Sequence, residues 1–137
     1  MEAPDKWLYE YAVIRYVPRI DRGEFINIGL LMMNKRLKWL KGKVMIDQNR
    51  IIAFHPSVDL ESLRHQTSLF ERNDVPSPEL PTEEKYRWLT AEKSAMLQVS
   101  PSHPGFLSKD FVSVNKDNSA VELMEEEFQR LFSTLVL

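Results

Sequence analysis

The sequence contains no cysteine, few glycines and no long apolar run, and each shortage excludes a class of site. Without cysteine the chain has no disulfide, no thiolate nucleophile and no cysteine-ligated zinc. The four glycines are scattered, which excludes a phosphate-holding glycine-rich loop, and we predict no cofactor. No segment approaches the roughly 18 apolar residues of a membrane span. The N-terminal MEAPDKWLYE has no basic start followed by an apolar core, so we expect a cytoplasmic protein that does not contact a membrane.

The composition is that of an ordinary globular protein. Of the 137 residues, 43% are hydrophobic and 28% are charged, which predicts one domain over residues 1–137 with a sizeable core. The net charge of −2 gives no general attraction to nucleic acid. Basic residues are nevertheless concentrated in Arg15–Arg22 and Lys35–Lys43. This distribution favours a local anion site over an extended nucleic-acid surface.

Alternating apolar residues predict an antiparallel sheet. Three strands form a meander at Leu8–Val17, Ile26–Met33 and Leu37–Met45, and a fourth follows at Ala95–Ser100. Strict alternation divides the second strand into two faces, one with Ile26, Ile28, Leu30 and Met32, the other with Asn27, Gly29, Leu31 and Met33. Pro101 and Pro104 predict an irregular turn over Ser100–Gly105.

Three segments have the capping residues and the apolar periodicity of helices. They are Ser57–Arg72, with Ser57 as its cap, Thr82–Leu89, and Ser119–Leu135, with a capping box of Ser119 and Glu122 and an apolar stripe of Val121, Met124, Phe128, Leu131 and Leu135. Asp47–His55 is ambiguous between a short helix and a strand end. We predict an α+β fold, with an antiparallel meander sheet of about four strands backed by two or three helices.

The first candidate site is the connection between the first two strands. A simple turn does not require three guanidinium groups. Arg15, Arg19 and Arg22 can form a receptor for phosphate or carboxylate, because each guanidinium offers paired donors and is always charged. The alternative is a set of surface ion pairs with Asp21 and Glu24.

Two features beside this connection also have alternative explanations. Arg15 shares a strand face with apolar residues, so it must either extend to an edge or pair with a buried acid or anion. Asn27 and Gly29 leave one strand face without bulk. That space suits a ligand, but a glycine in a strand more often marks a bulge.

The second candidate site is the segment Tyr86–Gly105, in which many donors follow one helix and one strand. They are Arg87, Thr90, Lys93, Ser94, Gln98, Ser100, Ser102 and His103. His103 can serve as a general base and Ser102 as a nucleophile, but no spacing specifies an acid that would orient the histidine. The alternative is that these side chains bond the backbone of a turn.

Neither the histidines nor the acids indicate a metal site. His55, His65 and His103 are scattered, without the spacing of metal ligands. The acid runs Glu83–Glu84 and Glu125–Glu127 fall on predicted helices. We interpret them as solvated helix surfaces.

Both candidate sites coincide with motifs of a known family. The first block has the pattern R-x-x-P-R-x-x-R-x-E-F-x-N-x-G, in Arg15, Pro18, Arg19, Arg22, Glu24, Phe25, Asn27 and Gly29. The second has R-W-L-T, then a serine, a glutamine and S-P-x-H-x-G, in Arg87, Trp88, Leu89, Thr90, Ser94, Gln98, Ser100, Pro101, His103 and Gly105. Over most of its length the chain resembles the small bacterial and phage proteins known as domain of unknown function 3037. It departs from them at Glu92-Lys93, where relatives often have Pro-Arg.

The resemblance supplies no reaction, but it implies a partner. Genes of this family often lie beside genes for proteins similar to the kinase toxins of toxin–antitoxin pairs. The resemblance therefore implies a protein partner, which would be a toxin-like kinase.

Three functions fit these observations, and the absence of a complete catalytic constellation favours the first. The first is a non-enzymatic binding or regulatory module that holds a phosphate-bearing ligand or a partner segment between the arginine connection and the second candidate site. The second is a small hydrolase, or an enzyme that processes phosphoryl groups or nucleic acid, with His103 as base and Arg15, Arg19 and Arg87 as charge stabilisers. The third is a structural subunit that self-associates through its apolar strand faces and a Met32–Met33 edge. The sequence does not indicate an oligomeric state.

Overall fold

The centre of the fold is an antiparallel sheet built on the two most apolar strands. The computed structural model describes residues 8–107 and 120–137. The strands are β1 (Leu8–Tyr16), β2 (Ile26–Asn34), β3 (Trp39–Val44), β4 (Leu97–Val99) and β5 (His103–Phe106). Their order is β3-β2-β1-β4, and β5 pairs with the remaining half of the same edge of β1. The α+β class and the β1-β2-β3 meander are confirmed.

The irregular turn predicted at Ser100–Gly105 is shorter than expected, because β5 occupies its second half. Pro104 is tolerated there since an edge strand needs backbone donors on one side only. The predicted strand Ala95–Ser100 shortens to β4. Between β4 and β5 the Ser100 hydroxyl accepts the Val13 N–H at 2.8 Å. This oxygen replaces the carbonyl that a regular ladder would supply.

A β-bulge in β2 overturns the predicted alternation. The register passes from Gly29 opposite Ile14 to Asn27 opposite Arg15, so Ile28 is the extra residue. Ile26, Ile28, Leu31 and Met33 therefore face one side of the sheet, and Leu30 and Met32 face the other. A Cβ on Gly29 would lie 2.9 Å from Ile14 Cδ1. Gly29 thus marks a bulge, and the space for a ligand beside it is absent.

The described residues contain four α-helices. They are α1 (Gln48–Phe54), α2 (Leu60–Thr67), α3 (Thr82–Thr90) and α4 (Ala120–Leu135), with short 3-10 turns at Ile20–Arg22 and Ser68–Glu71. The ambiguous segment around residue 50 is therefore helical. Asp59, and not Ser57, caps α2, because its carboxylate accepts the Ser62 N–H at 3.0 Å. Ser119 lies outside the described residues, so the predicted capping box is not described.

Helices cover both faces of the sheet and create two apolar clusters. The α1–α3 cluster includes Ile14, Tyr16, Leu31, Ile51, Leu63, Phe70, Tyr86 and Leu89. The α4 cluster includes Tyr9, Leu30, Met32, Trp39, Leu123, Met124, Phe128, Leu131 and Phe132. Val121, predicted on the apolar stripe, is 43% exposed instead. The rest of the predicted stripe is confirmed, because Met124, Phe128 and Leu131 are buried and Leu135 packs against them. Leu123 and Phe132 widen the stripe on one side.

The sheet also removes the surface predicted for self-association. Met32 and Met33 are fully buried within this chain. β2 has a paired strand on each side, so these methionines do not lie at an edge. None of the described helices combines the length and the apolar character needed to cross a membrane.

Candidate functional site

The connection between β1 and β2 is a tight turn that carries two exposed ion pairs. Gly23 closes the 3-10 turn with a φ of 67°, which glycine adopts without strain. Arg19 Nη2 lies 2.9 Å from Asp21 Oδ2, and Arg22 Nε lies 2.8 Å from Glu24 Oε1. Exposed pairs of this kind contribute little to stability. The ion pairs that the alternative predicts are therefore present at these two arginines.

Arg15 lies apart from them, on the α4 side of the sheet. It is the only arginine of residues 8–107 and 120–137 that is not exposed. Its guanidinium carbon lies 4.3 Å from the centroid of the Phe25 ring. Its Nε is buried without a hydrogen-bond partner, and no carboxylate of the described residues pairs with it. A partly buried guanidinium without an anion is energetically unfavourable.

Two polar side chains flank Arg15 at the same level of the sheet. Asn27 on β2 and Gln98 on β4 are its register partners. Asn27 Nδ2 donates to the Leu135 carbonyl oxygen at 3.0 Å, whereas Asn27 Oδ1 is buried without a partner. Gln98 Nε2 donates to the Ala95 carbonyl oxygen at 2.9 Å. The fold thus brings one residue of the second candidate site, Gln98, beside the first.

Arg87 belongs to a separate polar cluster on the α1–α3 side. Both of its terminal nitrogens donate to the Glu10 carboxylate at 2.9 Å. The Ser102 hydroxyl donates to the same carboxylate at 2.9 Å and lies 2.8 Å from the Tyr86 hydroxyl. Burial opposes ionisation of Glu10, but the bonds from Arg87 and Ser102 outweigh it and lower the pKa of Glu10. Arg87 is therefore already paired, and it ties α3 to β1.

Three more predicted donors bond nearby backbone groups. Thr90 Oγ1 donates to the Arg87 carbonyl oxygen at 3.1 Å, and Ser94 Oγ accepts the Leu97 N–H at 3.1 Å. Ser100 Oγ accepts the N–H of Val13 on β1. For these residues the alternative of backbone bonding is confirmed.

Ser102 and His103 face opposite sides of the sheet. Ser102 bonds Glu10 on the α1–α3 side. The exposed His103 ring packs on the other side, with its centroid 5.4 Å from that of Tyr11. No carboxylate of the described residues orients His103. The two residues therefore do not form a pair of nucleophile and base.

His55 is a further candidate, although its position in the sequence predicted only that it is not a metal ligand. A hydrogen bond of 2.6 Å joins its Nδ1 to the buried hydroxyl of Tyr16. His55 also lines two cavities, one of about 240 Å³ shared with Tyr16 and one of about 250 Å³ shared with Arg19 and Arg22. The signal in the sequence is weak, because it consists of one histidine after a short helix.

Glu127 is buried, which corrects the prediction of a solvated surface over Glu125–Glu127. Its carboxylate accepts a hydrogen bond from the Tyr9 hydroxyl. It also accepts two from Arg130, at 2.8 Å from Nε and 2.7 Å from Nη2. Burial disfavours the carboxylate, but these bonds outweigh it and lower the pKa of Glu127. The signal was present, because position 127 lies three residues after Met124 and so falls on the buried stripe.

The described side chains do not indicate a metal centre, and no group of three His, Asp or Glu residues lies together among them. Comparison with curated proteins and with solved structures finds no match. A model of one family, described as proteins of unknown function, matches residues 11–136. This chain belongs to that family, DUF3037, as its two sequence blocks predicted.

Proposed function

We propose that this protein is a non-enzymatic binding module that captures an acidic side chain of a protein partner at Arg15. The observation that supports it is the state of the Arg15 guanidinium, which is partly buried and has no carboxylate among the described residues. By contrast, Arg19, Arg22, Arg72, Arg87 and Arg130 each have a carboxylate within 4.0 Å. An anion from outside the chain would relieve this imbalance.

The polar groups around Arg15 favour a peptide over a bare anion. Asn27 Oδ1 is an acceptor without a donor, and it lies on the strand residue opposite Arg15. A bare anion without a proton, such as sulfate, would bring charge for the arginine but no donor for the amide oxygen. A peptide segment with Asp or Glu brings both a carboxylate and backbone N–H groups.

The apolar rim beside Arg15 has the composition of an interaction surface. Phe25 is 45% exposed and stacks on the guanidinium. Arginine and aromatic side chains together are enriched at the energetic centres of protein interfaces. The partner we propose to test first is a toxin-like kinase, the class of protein whose genes often lie beside genes of this family.

The enzyme alternative has less support from the geometry. Ser102 and His103 face opposite sides, and the proposed charge stabilisers Arg15, Arg19 and Arg87 lie in three different places. We therefore retain it only as a hypothesis, to be tested by turnover of a nucleotide or nucleic acid in wild type and His103→Ala.

The test is Arg15→Met, which keeps the apolar volume of the arginine and removes its charge. We expect this variant to lose capture of the purified kinase partner while its unfolding temperature stays equal or rises, because an unpaired, partly buried charge is removed. Arg64→Ala, at an exposed arginine of α2, is the matched control and should bind normally. Retained capture together with a lower unfolding temperature would show that Arg15 is structural.

A further inference from the structure

We infer that the cavity beside the β1–β2 turn is a binding site for a small phosphate monoester. Its volume is about 250 Å³, and its lining is Pro18, Arg19, Arg22, Glu24, Phe54 and His55. Phe54 packs against the α1–α3 cluster, so the cavity lies across the sheet from Arg15. This site is therefore separate from the partner surface proposed above.

Two guanidinium groups supply the charge. Arg22 N–H bonds the Arg19 carbonyl oxygen at 3.2 Å, and in such a turn residues three apart project to the same side. Each guanidinium is paired only with an exposed acid two positions away. A ligand can replace these weak pairs. A phosphate monoester suits two guanidinium forks, because it carries about two negative charges and three strong acceptor oxygens near neutral pH.

His55 adds a donor whose position is fixed by Tyr16. The Tyr16 hydroxyl lies 2.6 Å from His55 Nδ1, and burial raises the pKa of Tyr16, so the phenol keeps its proton. We assign the phenol as donor to Nδ1, which places the imidazole proton on Nε2. The Nε2–H is then available on the opposite edge of the ring, and His55 also lines the arginine cavity.

The size and the walls of the cavity limit the rest of the ligand. Its volume of about 250 Å³ is smaller than the roughly 300–1,000 Å³ of pockets for drug-sized ligands. Pro18 and Phe54 provide apolar wall beside the charged groups. The best match is a phosphate on a small apolar or aromatic body.

If the cavity binds an anion, Glu24 should weaken that binding, which is not expected of a surface ion pair alone. Glu24 is the one lining residue of the cavity that carries a carboxylate, and this carboxylate accepts a hydrogen bond from Arg22 Nε. Like charges repel, so Glu24 opposes an anionic ligand and competes for the guanidinium. Glu24→Gln should therefore bind phosphate monoesters more tightly than wild type.

The experiment is a titration with phenyl phosphate, followed by the imidazole proton resonances in NMR. The chain has three histidines, so His65 and His103 serve as internal controls for His55. We expect a saturable shift of the His55 resonances alone. Arg22→Gln should weaken binding about tenfold or more, because it removes a charge-assisted bond. Glu24→Gln should strengthen binding by roughly threefold to tenfold.

Three results would overturn the site: no saturable shift at His55, unchanged affinity in both Arg19→Gln and Arg22→Gln, or weaker binding in Glu24→Gln. Arg15→Met, on the other side of the sheet, should leave the titration unchanged. Failure of partner capture and failure of phosphate binding are therefore distinguishable. Tyr16→Phe tests the assigned tautomer, since it should weaken binding while the arginines remain in place.

Discussion

Glu127 is the only buried charged side chain among the described residues. Its carboxylate accepts hydrogen bonds from two elements, from the Tyr9 hydroxyl on β1 and from the Arg130 guanidinium on α4. A buried carboxylate is tolerated only when its lone pairs are used, and both oxygens of Glu127 accept. This side chain therefore fixes α4 against β1 as well as stabilising its own turn.

Replacement of Glu127 by Gln should lower the free energy of unfolding by about 1.5–3 kcal/mol at pH 7, because hydrogen bonds to a charged acceptor become bonds to a neutral one. The pKa of Glu127 is lowered from its usual 4.5 in the folded protein. The unfolded chain thus takes up the proton first as pH falls, so the contribution is complete above about pH 4.5 and is lost progressively below it. Urea unfolding at several pH values measures the difference between wild type and variant.

The control is Glu84→Gln, at an exposed position of α3, which should cost less than about 0.5 kcal/mol. A wild-type advantage over Glu127→Gln that stayed constant from pH 7 to pH 3 would contradict the role of the ionised carboxylate.

Contacts between residues close in sequence were predictable, whereas contacts between distant residues were not. The pairs of Arg19 with Asp21 and of Arg22 with Glu24 join residues two apart, and the sequence predicted both as an alternative. The Tyr9–Glu127 bond spans 118 positions, and no local pattern indicates it. His55 was missed for the same reason, since its partner Tyr16 lies on another element.

Among the elements, β2 shows where a local rule fails. The alternation of its residues predicted a strand correctly, but the bulge at Ile28 exchanges the faces of every residue after Gly29. A sequence period cannot reveal this step, because both sides of the bulge are apolar and either assignment buries a hydrophobic set. The strand itself was predictable. The side of the sheet that each of its residues faces was not, because it depends on packing against the helices on both sides.

The contact between β3 and the 3-10 turn at Ser68–Glu71 predicts a steric requirement for Gly42. A Cβ there would overlap the Phe70 carbonyl oxygen, which is backbone and cannot rotate away. Gly42→Ala should therefore destabilise the protein by about 1–3 kcal/mol through overpacking. Thermal unfolding followed by circular dichroism measures this loss.

Gly23→Asn is the matched control for Gly42→Ala. Gly23 has a φ of 67°, but a Cβ there would meet nothing within 4 Å, and asparagine tolerates this conformation. We expect a loss of less than about 1 kcal/mol for this control. Equal losses in the two variants would show that backbone flexibility, and not the contact with Phe70, governs the effect.

On the scale of the whole molecule, one sheet separates two apolar clusters and also supports both proposed sites. Arg15 lies on the α4 side, and the Arg19–Arg22 cavity lies on the α1–α3 side. The α+β class was predictable because the meander joins strands that are neighbours in sequence. The placement of Arg15 on one side of the sheet and of Arg19 and Arg22 on the other was not predictable from the sequence, because it depends on the path of the chain after β1.

The shared sheet predicts that the two clusters unfold together. Leu30 and Leu31 are adjacent, both are fully buried, and they face the α4 cluster and the α1–α3 cluster respectively. Leu30→Ala and Leu31→Ala should each cost about 2–5 kcal/mol, and each should shift one common transition in far- and near-ultraviolet circular dichroism. Ile20→Ala, at a side chain that is 58% exposed, should leave the midpoint nearly unchanged. A variant in which half of the signal still melted at the wild-type midpoint would contradict this coupling, because β2 could not then be the common element of both clusters.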